Sequence, residues 1–261
     1  MTIYAHHVRS RAAQPPGDQP RAFNNAPASE TAANNADGAP SLPGGEPRIL
    51  SLNVGSAVPV TWARTRDRSA IDKGPVGSAL ASPTGLAGDE CAERRFHGGP
   101  DRAVYAFARE EQHHWSRLLD RPLDPGSFGE NLTTVNFNVD QALLGELWRV
   151  GQVLLEVADV RTPCAVFQHW IGHKHPDAPD WLKRFTARAR PGAFLRVLEG
   201  GTVRRGDPIE VVSRPAHSMS VSAVFTALTT DRRLLPQLLD VPALAEARRA
   251  TAAQYAARHT T

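Results

Sequence analysis

One of the two cysteines in this chain stands directly after a proline. In the stretch Arg161-Thr162-Pro163-Cys164 the proline fixes its own φ and biases Thr162 towards extended backbone, so the Cys164 side chain is held in a defined direction. A thiolate held in this way is a nucleophile or a soft metal ligand, and Arg161 favours the anion if its guanidinium reaches back towards the sulfur. The plainer reading, a small hydrophobe closing an apolar run, stays open on these residues alone. Cys91 sits in a polar loop with no evident partner and is read as structural.

Two other stretches are dense in polar groups. In GLAGDECAERRFHGGPDRAVYAF, residues 85–107, a glycine pair (Gly98, Gly99) follows His97, and Arg94, Arg95, Asp101 and Arg102 crowd the same loop. Glycines without a Cβ let the backbone approach a ligand closely; a long solvated loop with a turn at Gly98-Gly99 accounts for the same residues. In GSFGENLTT, residues 126–134, Gly129 permits a tight approach and Glu130 and Asn131 offer acceptors and amide donors, although Gly-Glu-Asn also serves as an ordinary turn. His169 and His173 are spaced i, i+4 with His175 behind them, but there is no HExxH and no CxxC, so a structural zinc is not expected.

These groups need elements to position them. Residues 1–46 mix Ala, Pro, Asn, Gly and Ser with few large apolar side chains and are expected to be a disordered tail. From 47 to 215 the pattern is of short strands: 48–54, 58–63, 102–108, two meeting at Gly151 with Val153, Leu155 and Val157 alternating, and two more around turns at Gly200-Gly201 and Gly206-Asp207. Helices are expected behind the third strand, with Trp115, Leu118 and Leu119, and around Trp181 and Phe185. Residues 216–261 read as a three-helix module, with Ser220 capping its first helix and Pro242 in the first turn of its last. The fold class is α+β, a β-barrel-like domain with inserted short helices followed by this helical module.

Composition narrows the function. Of 261 residues 41 % are hydrophobic and 22 % charged, with a net charge of +3 and no long basic run, so a nucleic-acid polymer is not an expected partner. The balance suits a small anionic ligand held by a few arginines. Two cysteines cannot build a framework of bridges, no stretch has signal-peptide character, and none approaches the ~20 apolar residues that cross a bilayer, so a cytoplasmic location without membrane contact is expected.

Taken in order, GLAGDECAERRFHGGPDRAV, FGENL and RTPC resemble the signature of the MOSC domain, the family that includes the C-terminal domain of molybdenum cofactor sulfurases. The resemblance covers about residues 48–215, and the helical tail resembles the three-helix extension of the YiiM-like subgroup. It implies a β-rich barrel that binds a molybdenum-pterin cofactor, with Cys164 as the metal ligand. Gly98, Gly99, Arg102, Gly129, Asn131 and Arg161 would hold the cofactor, and His97 or Glu130 would give up a proton. Pyridoxal phosphate binding is a further term attached to the family. YiiM-like proteins are reductases of N-hydroxylated compounds, including hydroxylamino-purines, so a small N-hydroxylated substrate is implied. No dinucleotide or iron–sulfur pattern is present, which implies a separate flavoprotein or ferredoxin as electron donor. Some relatives carry a lysine where this chain has Val166; Lys174 and Arg102 are the cations that could replace it. The alternatives are a sulfur carrier working through a Cys164 persulfide and a protein that binds the cofactor without turnover.

Overall fold

The computed structural model describes residues 45–63, 67–93, 98–176 and 180–259. His97, Arg94, Arg95 and nearly all of the expected N-terminal tail lie outside these residues. The strands in chain order are β1 (Arg48–Val54), β2 (Val58–Pro59), β3 (Arg68–Ser69), β4 (Gly74–Val76), β5 (Ser78–Ser82), β6 (Gly85–Leu86) and β7 (Val104–Ala108). They continue as β8 (Leu132–Val135), β9 (Leu147–Val150), β10 (Val153–Val160), β11 (Ala193–Glu199), β12 (Gly201–Arg204) and β13 (Ile209–Ser213). The helices are α1 (Arg109–Leu119), α2 (Ala165–Lys174), α3 (Trp181–Arg188), α4 (Val221–Thr229) and α5 (Glu246–His259), with a 3-10 stretch over Arg232–Asp240.

Eight strands form one sheet in the order β13-β9-β10-β11-β7-β8-β1-β4. All its neighbours are antiparallel except β7 and β8, which run parallel with Ala106 opposite Leu132. The sheet curls back on itself without closing into a full barrel: Ile49 N donates to Asp207 O at 2.9 Å and Ile209 N to Pro47 O at 2.9 Å, so the start of β13 meets the start of β1. The alternation read from Val153, Leu155 and Val157 is real, since all three are buried and Leu154 and Glu156 between them are not. A layer of aromatic rings underlies the helices: Trp115 of α1, Phe167 of α2 and Trp181 and Phe185 of α3 are buried against one another, with Phe128 beside them. Val221, Val224, Phe225, Leu235 and Leu238 belong to the same continuous core as the strands.

Several sequence expectations are corrected here. The strand expected over 58–63 is two residues long, because Pro59 has no N–H to extend a ladder and the chain bends at Thr61 and Trp62. Residues 193–213 give three strands rather than two, since both turns separate paired segments. Ser220 does cap α4, its hydroxyl accepting from Ala223 N at 3.2 Å, but Pro242 lies ahead of α5, which begins at Glu246. The middle helical segment is 3-10 and contains Pro236. Among the described residues no helix is long and apolar enough to cross a membrane.

Candidate active site

Cys164 is the N-cap of α2. Its backbone is extended, as is usual for an N-cap, and its Sγ accepts a hydrogen bond from Phe167 N at 3.4 Å. The sulfur therefore sits where the unpaired amides of a helix start place partial positive charge. Phe167, locked into the aromatic layer, fixes the helix that carries it.

Cys164 opens into a cavity of about 610 Å³. The loop before β7 brings Gly98, Gly99 and Arg102 to its wall, and the loop before β8 brings Gly129 and Asn131. Because β7 and β8 are parallel, those two loops enter the sheet at the same end. Gly129 has φ +73°, and a Cβ there would lie 2.9 Å from Ile71 Cγ1, so the loop needs glycine for two reasons. Gly99, at φ +104°, needs it for backbone conformation alone. Arg161 also lines the cavity, its guanidinium carbon 4.5 Å from the centre of the Phe167 ring and 5.0 Å from that of Tyr105. Its Nε is buried without a hydrogen-bond partner, and no carboxylate pairs with it among the described residues.

Two sequence-derived site residues are placed elsewhere. Glu130 is fully buried and absent from the cavity wall. Its Oε1 accepts from Gly126 N at 2.6 Å, Gln112 Nε2 at 2.5 Å and Thr133 Oγ1 at 2.7 Å, and its Oε2 from Phe128 N at 3.0 Å. Burial raises its pKa above the usual carboxylate range, yet both oxygens are committed to the loop; Glu130 shapes the Gly126–Asn131 turn and is not positioned to protonate a ligand. Lys174 is also away from the wall: it pairs with Asp72 at 3.3 Å and lies 4.5 Å from the centre of the Trp170 ring. It therefore does not replace the lysine missing at Val166, which itself lines the cavity. Arg102 does line it, bound to Asp159 at 2.8 Å. His169 and His173 both lie on α2, His173 stacked on Trp62, and no group of three potential metal-binding side chains occurs among the described residues.

Two wall residues, Lys73 and Arg248, went unnoticed in the sequence, and a third, Cys91, was read only as structural. Lys73, nearly buried, lines the cavity in an ion pair with Asp89. Burial pushes its pKa below the usual lysine range against the pull of Asp89, and the charge of Arg161 lowers it further. Asn131 Nδ2 donates to the other Asp89 oxygen at 2.9 Å, so Asn131 helps to hold Lys73 in place. Cys91 lines the same cavity as Cys164 instead of standing apart in a polar loop; its place in the GDECAERRFHGG stretch was the available signal. Arg248, from the C-terminal helix α5, completes the set.

Comparison with known proteins places this cavity in a family. The MOSC domain profile matches residues 93–210. The uncharacterized protein YflK of Bacillus subtilis (strain 168) is 30 % identical over 174 residues, 66 % of this chain and 76 % of YflK. The chain belongs to the MOSC domain family. Within it the chain is YiiM-like: the crystal structure of YiiM from Geobacillus stearothermophilus matches with a TM-score of 0.65 at 26 % identity, covering 80 % of this chain and 98 % of that one. A protein named "Reductase" from Gibberella moniliformis (strain M3125 / FGSC 7600) is 34 % identical over 175 residues, 64 % of this MOSC protein but 30 % of the fungal one. The span matched to the MOSC profile takes in Arg102, Asn131, Arg161 and Cys164 and leaves Lys73 and Arg248 outside it.

Proposed function

We propose that this MOSC protein is an oxidoreductase that works with a molybdenum-pterin cofactor and reduces the N–O bond of small N-hydroxylated compounds. The observation that carries the reading is Arg161, whose buried Nε has no hydrogen-bond partner and whose guanidinium meets no carboxylate among the described residues, on the same cavity as the Cys164 sulfur. A folded chain gains nothing from leaving such a cation without a counter-charge, so the site is built for an anion that arrives from outside. The pterin phosphate is such an anion, and a thiolate beside it suits a metal that prefers soft ligands. The fungal relative named as a reductase supports the redox class.

Each residue then has a part. Cys164 Sγ would bind the metal, and Arg161, with Lys73 nearby, would hold the anionic end of the pterin. Gly129, which tolerates no side chain, would let the loop lie close against it. The bound cofactor supplies the two-electron chemistry that the protein's own side chains lack. The two protons that accompany reduction of an N–O bond to water and an amine fall to His97 Nε2 or Nδ1 and to Lys73 Nζ, whose ammonium gives up its proton more readily because it is buried. Electrons come from a separate flavoprotein or ferredoxin.

The test is molybdenum content. Protein made in a host that synthesises the cofactor is expected to hold about one metal per chain, and Cys164→Ser very little, with turnover of a hydroxylamino-purine in the wild type alone. Serine preserves the helix cap and so separates the ligand from the fold. No metal in either protein overturns the reading and directs attention to a persulfide at Cys164, read as a one-sulfur mass adduct lost on reduction.

A further inference from the structure

Three clefts run into one another along the helical module. The cavity that holds Cys164 shares Thr162 and Arg248 with a cleft of about 440 Å³. That cleft in turn shares Arg232 and Thr251 with a third, of about 350 Å³, formed by Arg232 and the second half of α5. The path leads from His259, in the last turn of α5, to Thr162, two residues before Cys164. At its inner end Arg248 Nη2 lies 3.3 Å from Thr162 Oγ1.

The two outer clefts carry one sign of charge. Arg232, Arg248, Arg258 and His259 line them, and no carboxylate does. Arg248 is answered by Asp159, but Arg232 and Arg258 are exposed and meet no carboxylate among the described residues. The neighbouring Arg233 shows the contrast, since it folds back on Asp231 at 2.8 Å. Cations in the last turn of a helix answer its dipole, which accounts for Arg258 and His259. It does not account for Arg232, which comes from the 3-10 stretch and converges on the same cleft. Its guanidinium carbon lies 5.6 Å from the centre of the Tyr255 ring, and that ring is stacked on His259 with centroids 4.0 Å apart. The outer charges are therefore held in place before any partner arrives.

We propose that this strip, with Arg232 and Arg258 at its outer end, is the docking surface for a small acidic electron-carrier protein of the ferredoxin or flavodoxin kind. The inference rests on the proposed oxidoreductase reading, which requires a donor, and names the donor's chemistry and its place. A 14-residue helix is about 21 Å long, a span that suits the small interfaces of electron-transfer encounters. A strip of one sign steers an oppositely charged partner, and the inner end of this one brings the partner's edge to the loop that carries Cys164. Two reduced carriers give up one electron each for every N–O bond broken. The nitrogen and the oxygen each gain a proton, and the oxygen leaves as water.

The experiment is calorimetric titration of the full chain with a plant-type [2Fe–2S] ferredoxin and with a flavodoxin, both acidic. At about 20 mM salt a carrier is expected to bind, and at about 300 mM the binding is expected to be lost. Arg232→Glu with Arg258→Glu is expected to weaken it tenfold or more, and lysine at both positions to retain most of it. Arg205→Glu, in the turn after β12 and on neither outer cleft, is the control expected to change nothing. Melting temperatures report that the variants fold, and Arg232→Glu alone leaves α5 untouched. In loaded enzyme the double reversal is expected to lower carrier-driven turnover of a hydroxylamino-purine tenfold and to spare turnover driven by reduced methyl viologen. Binding of neither carrier, or binding that ignores the double reversal, overturns the proposal. Equal loss of carrier-driven and dye-driven turnover overturns it too, because the arginines then serve the site itself. A short single-stranded DNA that binds more tightly than either carrier assigns the strip to nucleic acid and overturns it as well. If the dye drives no turnover in the wild type, the oxidoreductase reading fails, and the titrations still decide the docking.

Discussion

Arg161 and Glu130 show how burial turns residue type into role. Both are charged, both flank the same loops, and they differ in what surrounds them. The Glu130 carboxylate accepts four hydrogen bonds from its own loop and its neighbours, which makes it part of the scaffold. Arg161 touches two aromatic rings and nothing that balances its charge among the described residues. Its contribution to stability is therefore small or negative, while its contribution to an anionic ligand is large. Arg161→Met exchanges cation–π contacts of about 0.5–2 kcal/mol for removal of an uncompensated charge. The expected outcome is a melting temperature of the cofactor-free protein equal to or above that of the wild type and, in protein made where the cofactor is synthesised, a drop of about tenfold in bound molybdenum. A marked fall in melting temperature would show that the guanidinium is structural.

At the scale of elements, the regular pieces were legible and the irregular ones were not. The stretch 48–54 announces β1 by its density of apolar residues, and the alternation after Gly151 announces β10 because a period-2 pattern survives from Val153 to Val157. The segments β4 to β6 are short and rich in Gly, Pro and Ser, too brief to carry a period, and they hold Lys73 and its neighbours at the cavity. Among site residues, the glycine loops and Cys164 were legible because glycine and a proline-linked cysteine are restrictive choices. Glu130 misled because its sequence neighbours do not report that it lies under the turn. Arg248 was hidden because an arginine in an Ala- and Arg-rich helix reads as a solvated face.

The 3-10 turn over Val139–Gln141 carries a consequence for pH. Asp140, fully buried there, accepts from Gly192 N at 2.9 Å, and burial, reinforced by nearby Glu111, raises its pKa to about 7. Unfolded, it ionises near the ordinary value of about 3.9. Between those two values the folded protein holds a proton that the unfolded chain has released, so stability rises as pH falls from 7 towards 4 and is lost as pH rises. Urea unfolding at pH 5.5 and pH 7.5 is expected to show the wild type more stable at the lower pH, by at most about 1.4 kcal/mol per pH unit from this group. Asp140→Asn should remove that part of the slope; an unchanged slope would assign the effect to other groups.

At the scale of the whole molecule, Asp159 joins the last helix to the sheet and to the cavity at once. Its buried carboxylate sits between Arg102 and Arg248, and Asp159→Asn would remove the charge that the two guanidiniums share. A loss of about 3–5 kcal/mol in unfolding free energy is expected, measured by urea denaturation; a loss under about 1 kcal/mol would show that solvent already screens the cluster. The same architecture bears on how docking of the implied electron donor on the helical module would be tested. Truncation at residue 216 would remove Val221, Val224, Phe225, Leu235 and Leu238 from the common core, so it tests folding rather than docking. Point substitutions on the exposed faces of the helices are the informative probe of an electron donor.

The bond between Arg248 and Asp159 also sets an order of events during synthesis. A ribosome delivers Cys164 and Arg161 well before it delivers α5, and β13 must return to β1 across most of the chain to curl the sheet. Until then the cavity lacks the part of its lining that Arg248 supplies. Loading of the proposed cofactor would therefore follow translation, because a chain stalled short of residue 248 has its thiol in place but not the whole lining of the pocket.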